Sequence, residues 1–205
     1  MNITGKGIMI WKGKHYGDGS IAANVQACKE MGLSWVALKI GDGINKTDFA
    51  SFPGQMPQAV RAFRDAGMDV IGWHYVYGGV WWNVKEATWK NTGASPAQEA
   101  LFAKAEVKAL GLSAYWIDAE KEYKVLNPEA RAKSFMDNLK GIGVPVGLNS
   151  YRFPSLHPTF PAATFLAGCD HHAPQVYHMQ GRGVLDLARS MAELKALKDV
   201  PVIPV

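Results

Sequence analysis

The stretch Ala114-Tyr115-Trp116-Ile117-Asp118-Ala119-Glu120-Lys121-Glu122 passes from a short apolar run into three carboxylates at alternate positions. In a β-strand alternate residues share a face, so Ala114, Trp116, Asp118 and Glu120 point one way while Tyr115 and Ile117 point the other. Two acids at the end of a buried strand are expensive to keep unless they carry out chemistry. A solvated acidic loop is the plain alternative, and the rest of the chain decides between the two.

Working outward from this strand, short apolar runs alternate with amphipathic segments. The pattern predicts strands over 7–11, 35–40, 69–76, 114–118, 144–149 and 172–176, with a seventh beginning at Val200. Helices are predicted over 20–31, 53–66, 95–110, 127–142 and 184–198, and a long loop follows the third strand. Ser95-Pro96-Ala97-Gln98 reads as a capping box with proline in the first helical turn. Asn127-Pro128-Glu129 repeats the cap-then-proline order. Gly32, Gly67, Gly111 and Gly143 each stand just past a helix end and lead into an apolar strand. Such β and α alternation means a parallel sheet covered by helices.

Two architectures fit a parallel sheet. A dinucleotide fold needs a glycine-rich turn after the first strand, but Trp11-Lys12-Gly13-Lys14-His15 has no G-x-G-x-x-G, and there is no P-loop. Strand parity favours a barrel. Ile8 and Ile10, Val36, Leu38 and Ile40, and Val146 and Leu148 face helices, and Pro174 and Val176 do the same on the sixth strand. The opposite faces are small early in each strand and polar or aromatic late, as in a barrel packed at the bottom and functional at its C-terminal rim. The expected class is α/β, a (β/α)8 TIM-barrel type in one domain over 1–205. Truncation after strand 7 is expected, because 201–205 is at best the seventh strand. An open barrel exposes strand edges, so a missing segment or self-association is expected to complete it.

Composition sets the class of partner. With 48% hydrophobic and 20% charged residues the chain is too apolar for disorder. The net charge of +4 suits an anionic partner such as a cell wall, but the basic residues are scattered and argue against nucleic acid. No apolar run reaches the ~18 residues of a membrane span. No secretory signal is visible, so the expectation is a soluble cytosolic product that is released to act on the wall. Cys28 and Cys169 read as buried hydrophobes rather than a disulfide.

The strand ends gather Trp11, Lys39, Asp42, His74, Asp118, Glu120, Asn149, Tyr151, Gln175 and Tyr177 around one mouth. Glycoside hydrolysis needs a carboxylic acid for the leaving oxygen and a carboxylate for water or the cationic transition state. Asp118 and Glu120 supply both from one strand, about 7 Å apart at their origins, close enough to raise one pKa. Glu120 is expected to be the general acid and Asp118 its partner, with Glu122 lining the site. The long loop carries Trp81, Trp82 and Trp89, whose flat faces suit sugar rings, although they equally suit a covering role. No cofactor is called for. A metal site from His74, His172 and Asp118 is a competing reading, and no serine or cysteine nucleophile setting is present.

With these residues in view, the chain resembles glycoside-hydrolase TIM barrels, and among them the cell-wall lysozymes of glycoside hydrolase family 25. Asp118-Ala119-Glu120 resembles that family's D-x-E on strand 4. Lys39-Ile40-Gly41-Asp42-Gly43 is similar to its K-x-x-E-G, and Gly72-Trp73-His74-Tyr75 to the end of its strand 3, which adds Tyr75 to the site. The resemblance implies a glycosidase acting on cell-wall polysaccharide. Met9 stands where the family has an aspartate. That departure keeps a second reading open, a carbohydrate-binding barrel that has lost catalysis.

Overall fold

The computed structural model describes residues 3–177 and 183–205. Its elements are β1 (Gly7–Ile10), α1 (Ile21–Glu30), β2 (Trp35–Asp42), α2 (Met56–Asp65), β3 (Asp69–Val76), β4 (Val80–Asn83), β5 (Thr88–Asn91), α3 (Pro96–Leu110), β6 (Ala114–Ala119), α4 (Pro128–Leu139), β7 (Val146–Asn149), α5 (Ala162–Ala167), β8 (His171–His172) and α6 (Gly183–Leu197). Six strands form one parallel sheet in the order β1-β2-β3-β6-β7-β8. Each strand lies beside the next parallel strand of the chain, with no reversal of order. A doubly wound sheet reverses at its switch point, so the succession is that of a (β/α)8 barrel wall.

The run 201–205 extends this wall. Ile203 N–H donates to His172 O, and Val205 N–H donates to Pro174 O, which continues the parallel ladder. Among the described residues, β1 and this run form the two open edges. The sixth strand is shorter than the expected 172–176, because Pro174 has no N–H to give to a ladder. The seventh strand expected from Val200 is present only as the bridge of Val202 with His172 and the backbone bonds around it.

Helix ends follow local chemistry. Ser95 Oγ accepts from Gln98 N–H while Gln98 Oε1 accepts from Ser95 N–H, the reciprocal capping box. Gly111 ends α3 in the left-handed region at φ 62°, where any side chain is strained. Asn127 differs from expectation. It is itself left-handed, at φ 60°, and its side chain caps nothing, so α4 starts on Pro128 alone.

Two elements lie where no regular structure was expected. The long loop holds the antiparallel hairpin β4–β5, with Trp82 paired across to Trp89. The six-residue α5 lies in the connection from β7 to β8.

Burial divides the sheet by face as parity requires. Ile10, Val36, Leu38, Ile40, Tyr115, Ile117, Val146 and Leu148 pack under the helices. Trp35, Ala37, Ile71, Trp73, Ala114, Trp116 and Ala173 fill the opposite, concave face together with Met9, Ile203 and Val205. The interior tryptophans fit because glycines stand next to them. Gly7 is the register partner of Trp35, and a Cβ there would lie 1.9 Å from the indole. Gly147 is the partner of Trp116 and is equally without room. Trp35 and Trp116 meet edge to face at 5.3 Å, and Trp116 Nε1–H donates to His171 Nε2 at 2.6 Å. This apolar floor lies beneath the polar strand ends.

Candidate active site

The register of the sheet sets a row of polar side chains at one height. Asp42 pairs with Tyr75, Tyr75 with Asp118, and Asp118 with Asn149. All four belong to strand C-terminal ends, the functional rim of a barrel. Asp118 is 5% exposed, while Glu120, just past β6, is half-buried at the rim. A cavity of about 470 Å³ opens beside them, lined among others by Met9, Trp11, Trp35, Trp73, Gln175 and Tyr177.

Gln175 joins the two acids. Its Nε2 lies 2.9 Å from Asp118 Oδ1, 3.1 Å from Glu120 Oε1 and 3.0 Å from Asn149 Oδ1. Tyr177 donates its hydroxyl to Gln175 Oε1, and Asn149 Nδ2 donates to Ala173 O, so both amides are oriented by their neighbours. The Gln175 amide has two hydrogens for three acceptors. One acceptor is therefore left without a full hydrogen bond. Burial, and next the charge of Glu120, hold the Asp118 carboxyl well above the usual carboxylate range, against the opposing pull of Lys39 and Gln175.

A cation balances this acid row. Lys39 is buried, with its ammonium 2.6 Å from Asp42 Oδ1. It stands 4.8 Å from the Trp73 ring, 5.7 Å from Trp11 and 5.8 Å from Tyr75. Aromatic faces on several sides stabilise an ammonium that little water can reach. Ser51 braces the same strand by accepting from Lys39 N–H and donating to Ile10 O. Tyr75 also donates its hydroxyl to Glu122 Oε2 at 2.7 Å, and burial raises the Glu122 carboxyl.

The structure thus brings Trp11, Lys39, Asp42, Tyr75, Asp118, Glu120, Asn149, Gln175 and Tyr177 to one hollow. Glu122 joins as a buried support behind Tyr75. Tyr151 pairs by backbone with Gln175 and stacks against His157 at the rim. His74 is a correction. It is wholly buried on the helix side, bonded to Tyr115 Oη at 3.0 Å and to Gly43 O, against Phe102. Trp73 and Tyr75 face the hollow, so strand alternation turns His74 away. Burial holds its pKa down to about 4, as suits a neutral structural histidine.

Trp81 and Trp82 stand apart from this hollow. They lie on the β4–β5 hairpin, and neither lines the 470 Å³ cavity. The three-ligand metal reading also fails on geometry. His172 bonds Lys198 O on the outer side, as His74 does its own partners there, while Asp118 faces inward. Among the described residues no group of three metal-ligating side chains converges.

Trp73, Tyr16, Lys124 and His157 belong to the site or its border but were not singled out as site residues. Trp73 was legible, since it is two positions before Tyr75 on one strand face. Lys124 and His157 meet only in three dimensions.

No family model matches the sequence, and no curated protein does. Solved structures do. The chain is similar to the catalytic domain of an endolysin from bacteriophage P40 of Listeria monocytogenes, with 19% identity and a TM-score of 0.52 over 82% of this chain and 73% of that one. It is similar to a chitinase from Chromobacterium violaceum, with 12% identity and a TM-score of 0.61 over 96% of this chain and 67% of that one. It also matches the carboxyl transferase domain of Rhizobium etli pyruvate carboxylase, with 15% identity and a TM-score of 0.54 over 82% of this chain and 27% of that one. At such identities, and with two chemistries represented, the likeness establishes the barrel fold.

Proposed function

We propose that this chain hydrolyses glycosidic bonds of a polysaccharide, cell-wall glycan foremost, with Asp118 and Glu120 as the reacting carboxyl pair. The observation that carries the reading is the joint contact of both carboxylates with the Gln175 amide, at the mouth of an aromatic-walled cavity. Mutual repulsion across the shared amide disfavours charge on both carboxyl groups at once. Glu120, at the rim, protonates the glycosidic oxygen as its bond to the anomeric carbon breaks, and Asp118, deeper in, faces the oxocarbenium-like sugar that forms. Water then adds to the anomeric carbon and gives its proton to the Glu120 carboxylate, which restores the acid. Trp11 and Tyr177, both exposed, offer flat apolar faces to sugar rings. The endolysin and chitinase likenesses agree with a glycan substrate.

A binding-only reading has one observation in its favour. Met9 occupies the hollow where the resembled family brings an acid from strand 1, with its sulfur 3.6 Å from Asn149 Nδ2. The test is reducing-end release from purified wall glycan by the wild type, Glu120→Gln and Asp118→Asn. The hydrolase reading expects release by the wild type and a loss of about a hundredfold or more in each variant, with circular dichroism unchanged. Affinity for glycan without any release by the wild type would support the binding module instead.

A further inference from the structure

Beside the carboxylate pair, away from the aromatic-walled cavity, lies a group that the catalytic reading does not use. Lys124 closes the 3₁₀ turn Lys121–Lys124 that follows Glu120. Its Nζ lies 2.8 Å from His157 Nδ1 and 4.0 Å from the centre of the Tyr151 ring. The His157 ring stacks on Tyr151 at 3.8 Å with the planes 32° apart. Tyr151 in turn pairs by backbone with Gln175, the residue that holds both acids.

The chemistry of the contact fixes its charge. An ammonium has donors only, so His157 Nδ1 must accept, and the imidazole is neutral with its proton on Nε2. Among the described residues His157 is the only hydrogen-bond partner of the Lys124 ammonium, which leaves two N–H donors directed elsewhere. The His157–Tyr151 stack holds the lysine in one place before any ligand arrives, which lowers the ordering cost of binding. Burial lowers the Lys124 pKa, and the charge of Glu120 opposes that fall, which agrees with the ammonium standing next to the acid pair.

An anionic sugar approaching Asp118 and Glu120 meets two carboxyl groups and needs a cation on its path. Lys39 is already occupied by Asp42. Lys124 is not matched by an acid at salt-bridge distance among the described residues. We infer that Lys124, His157 and Tyr151 form a subsite that takes a sugar residue carrying a carboxylate: the ammonium pairs with the carboxylate, and the stacked rings form the wall. This deepens the glycosidase reading and rests on it for the class of ligand.

The test is calorimetry on the Glu120→Gln protein, which prevents turnover, with two probes. One is a carboxylate-bearing oligosaccharide of wall glycan, and the other is the same oligosaccharide with its carboxylates reduced to alcohols. The acidic form is expected to bind about tenfold tighter, the net worth of one charge-assisted hydrogen bond, and the preference is expected to shrink with salt. Adding Lys124→Met is expected to abolish the preference without changing affinity for the reduced form, and Lys124→Arg to retain a preference. Equal binding of the two probes, binding of neither, or an equal loss for both in Lys124→Met overturns the subsite. The parent reading is judged separately, by wild-type turnover. Turnover with no preference removes the subsite alone, and a preference with no turnover removes the hydrolase alone.

Discussion

Removing one hydroxyl behind the acid row has a consequence that depends on pH. Tyr75 donates to Glu122 Oε2 at 2.7 Å, and Glu122 is 2% exposed. Lys121 stands 4.0 Å from that carboxylate but is 57% exposed. Tyr75→Phe keeps the ring and opens no large cavity, but it takes the side-chain donor from a buried carboxylate. A hydrogen bond to a charged group is worth ~1.5–3 kcal/mol, so about 2 kcal/mol is expected to be lost at pH 8. In a domain of this size that corresponds to a fall in Tm of about 6 °C.

The sign with pH follows from Glu122. Burial raises its pKa above the ordinary 4.5 and the Tyr75 hydroxyl pulls it back, so the variant raises it further. A carboxyl with a raised folded pKa favours the fold while protonated and costs stability as pH rises through that pKa. The penalty of Tyr75→Phe is therefore largest at pH 8 and falls to about 1 kcal/mol near pH 4, where only a neutral hydrogen bond is lost. Urea unfolding followed by tryptophan fluorescence at both pH values measures it. An equal penalty at the two pH values, or less than about 0.5 kcal/mol at pH 8, would refute the assignment of a buried, hydrogen-bonded carboxylate.

Two further substitutions separate stability from chemistry. Asp118→Asn is expected to raise Tm at pH 7 while it removes activity, because the Asp118 carboxyl is held above its ordinary pKa by burial and by Glu120. The gain is expected to vanish as pH falls below the ordinary aspartate value, where the unfolded chain also binds the proton; thermal melts across pH check both parts. Gly147→Ala puts a Cβ 2.4 Å from His171 Nε2 and 2.7 Å from Trp116 Cδ1, where there is no space. It is expected to break the Trp116–His171 hydrogen bond and cost about 2–3 kcal/mol in denaturant unfolding.

Much of this arrangement was legible in the chain, and the exceptions have identifiable causes. Apolar runs set off by helix-ending glycines disclosed the repeated unit, and alternation correctly put Trp116 and Asp118 inside with Ile117 outside. The same rule, applied to Trp73-His74-Tyr75, turns His74 outward. The β4–β5 hairpin was hidden because its turn lacks the usual Asn-Gly or Asp-Gly signal. It is closed instead by Asn83 Oδ1, which accepts from Lys85 and Glu86 N–H, and by Ala87 at φ 48°. The pairing of Gly7 with Trp35 and of Gly147 with Trp116 depends on register, which no single strand reveals. Gln175 was placed at the mouth, but its reach to both acids requires β8 to lie beside β7, a tertiary fact.

The central claim is that Glu120 delivers a proton to a leaving oxygen, and leaving-group dependence tests it most directly. Turnover of a polysaccharide needs that proton, whereas an aryl glycoside of the same sugar with a strongly acidic phenol departs without it. Glu120→Gln is expected to slow glycan cleavage by about a hundredfold or more while slowing the activated aryl glycoside only a few-fold. Equal slowing of both substrates, or unchanged turnover of the glycan, would contradict the account.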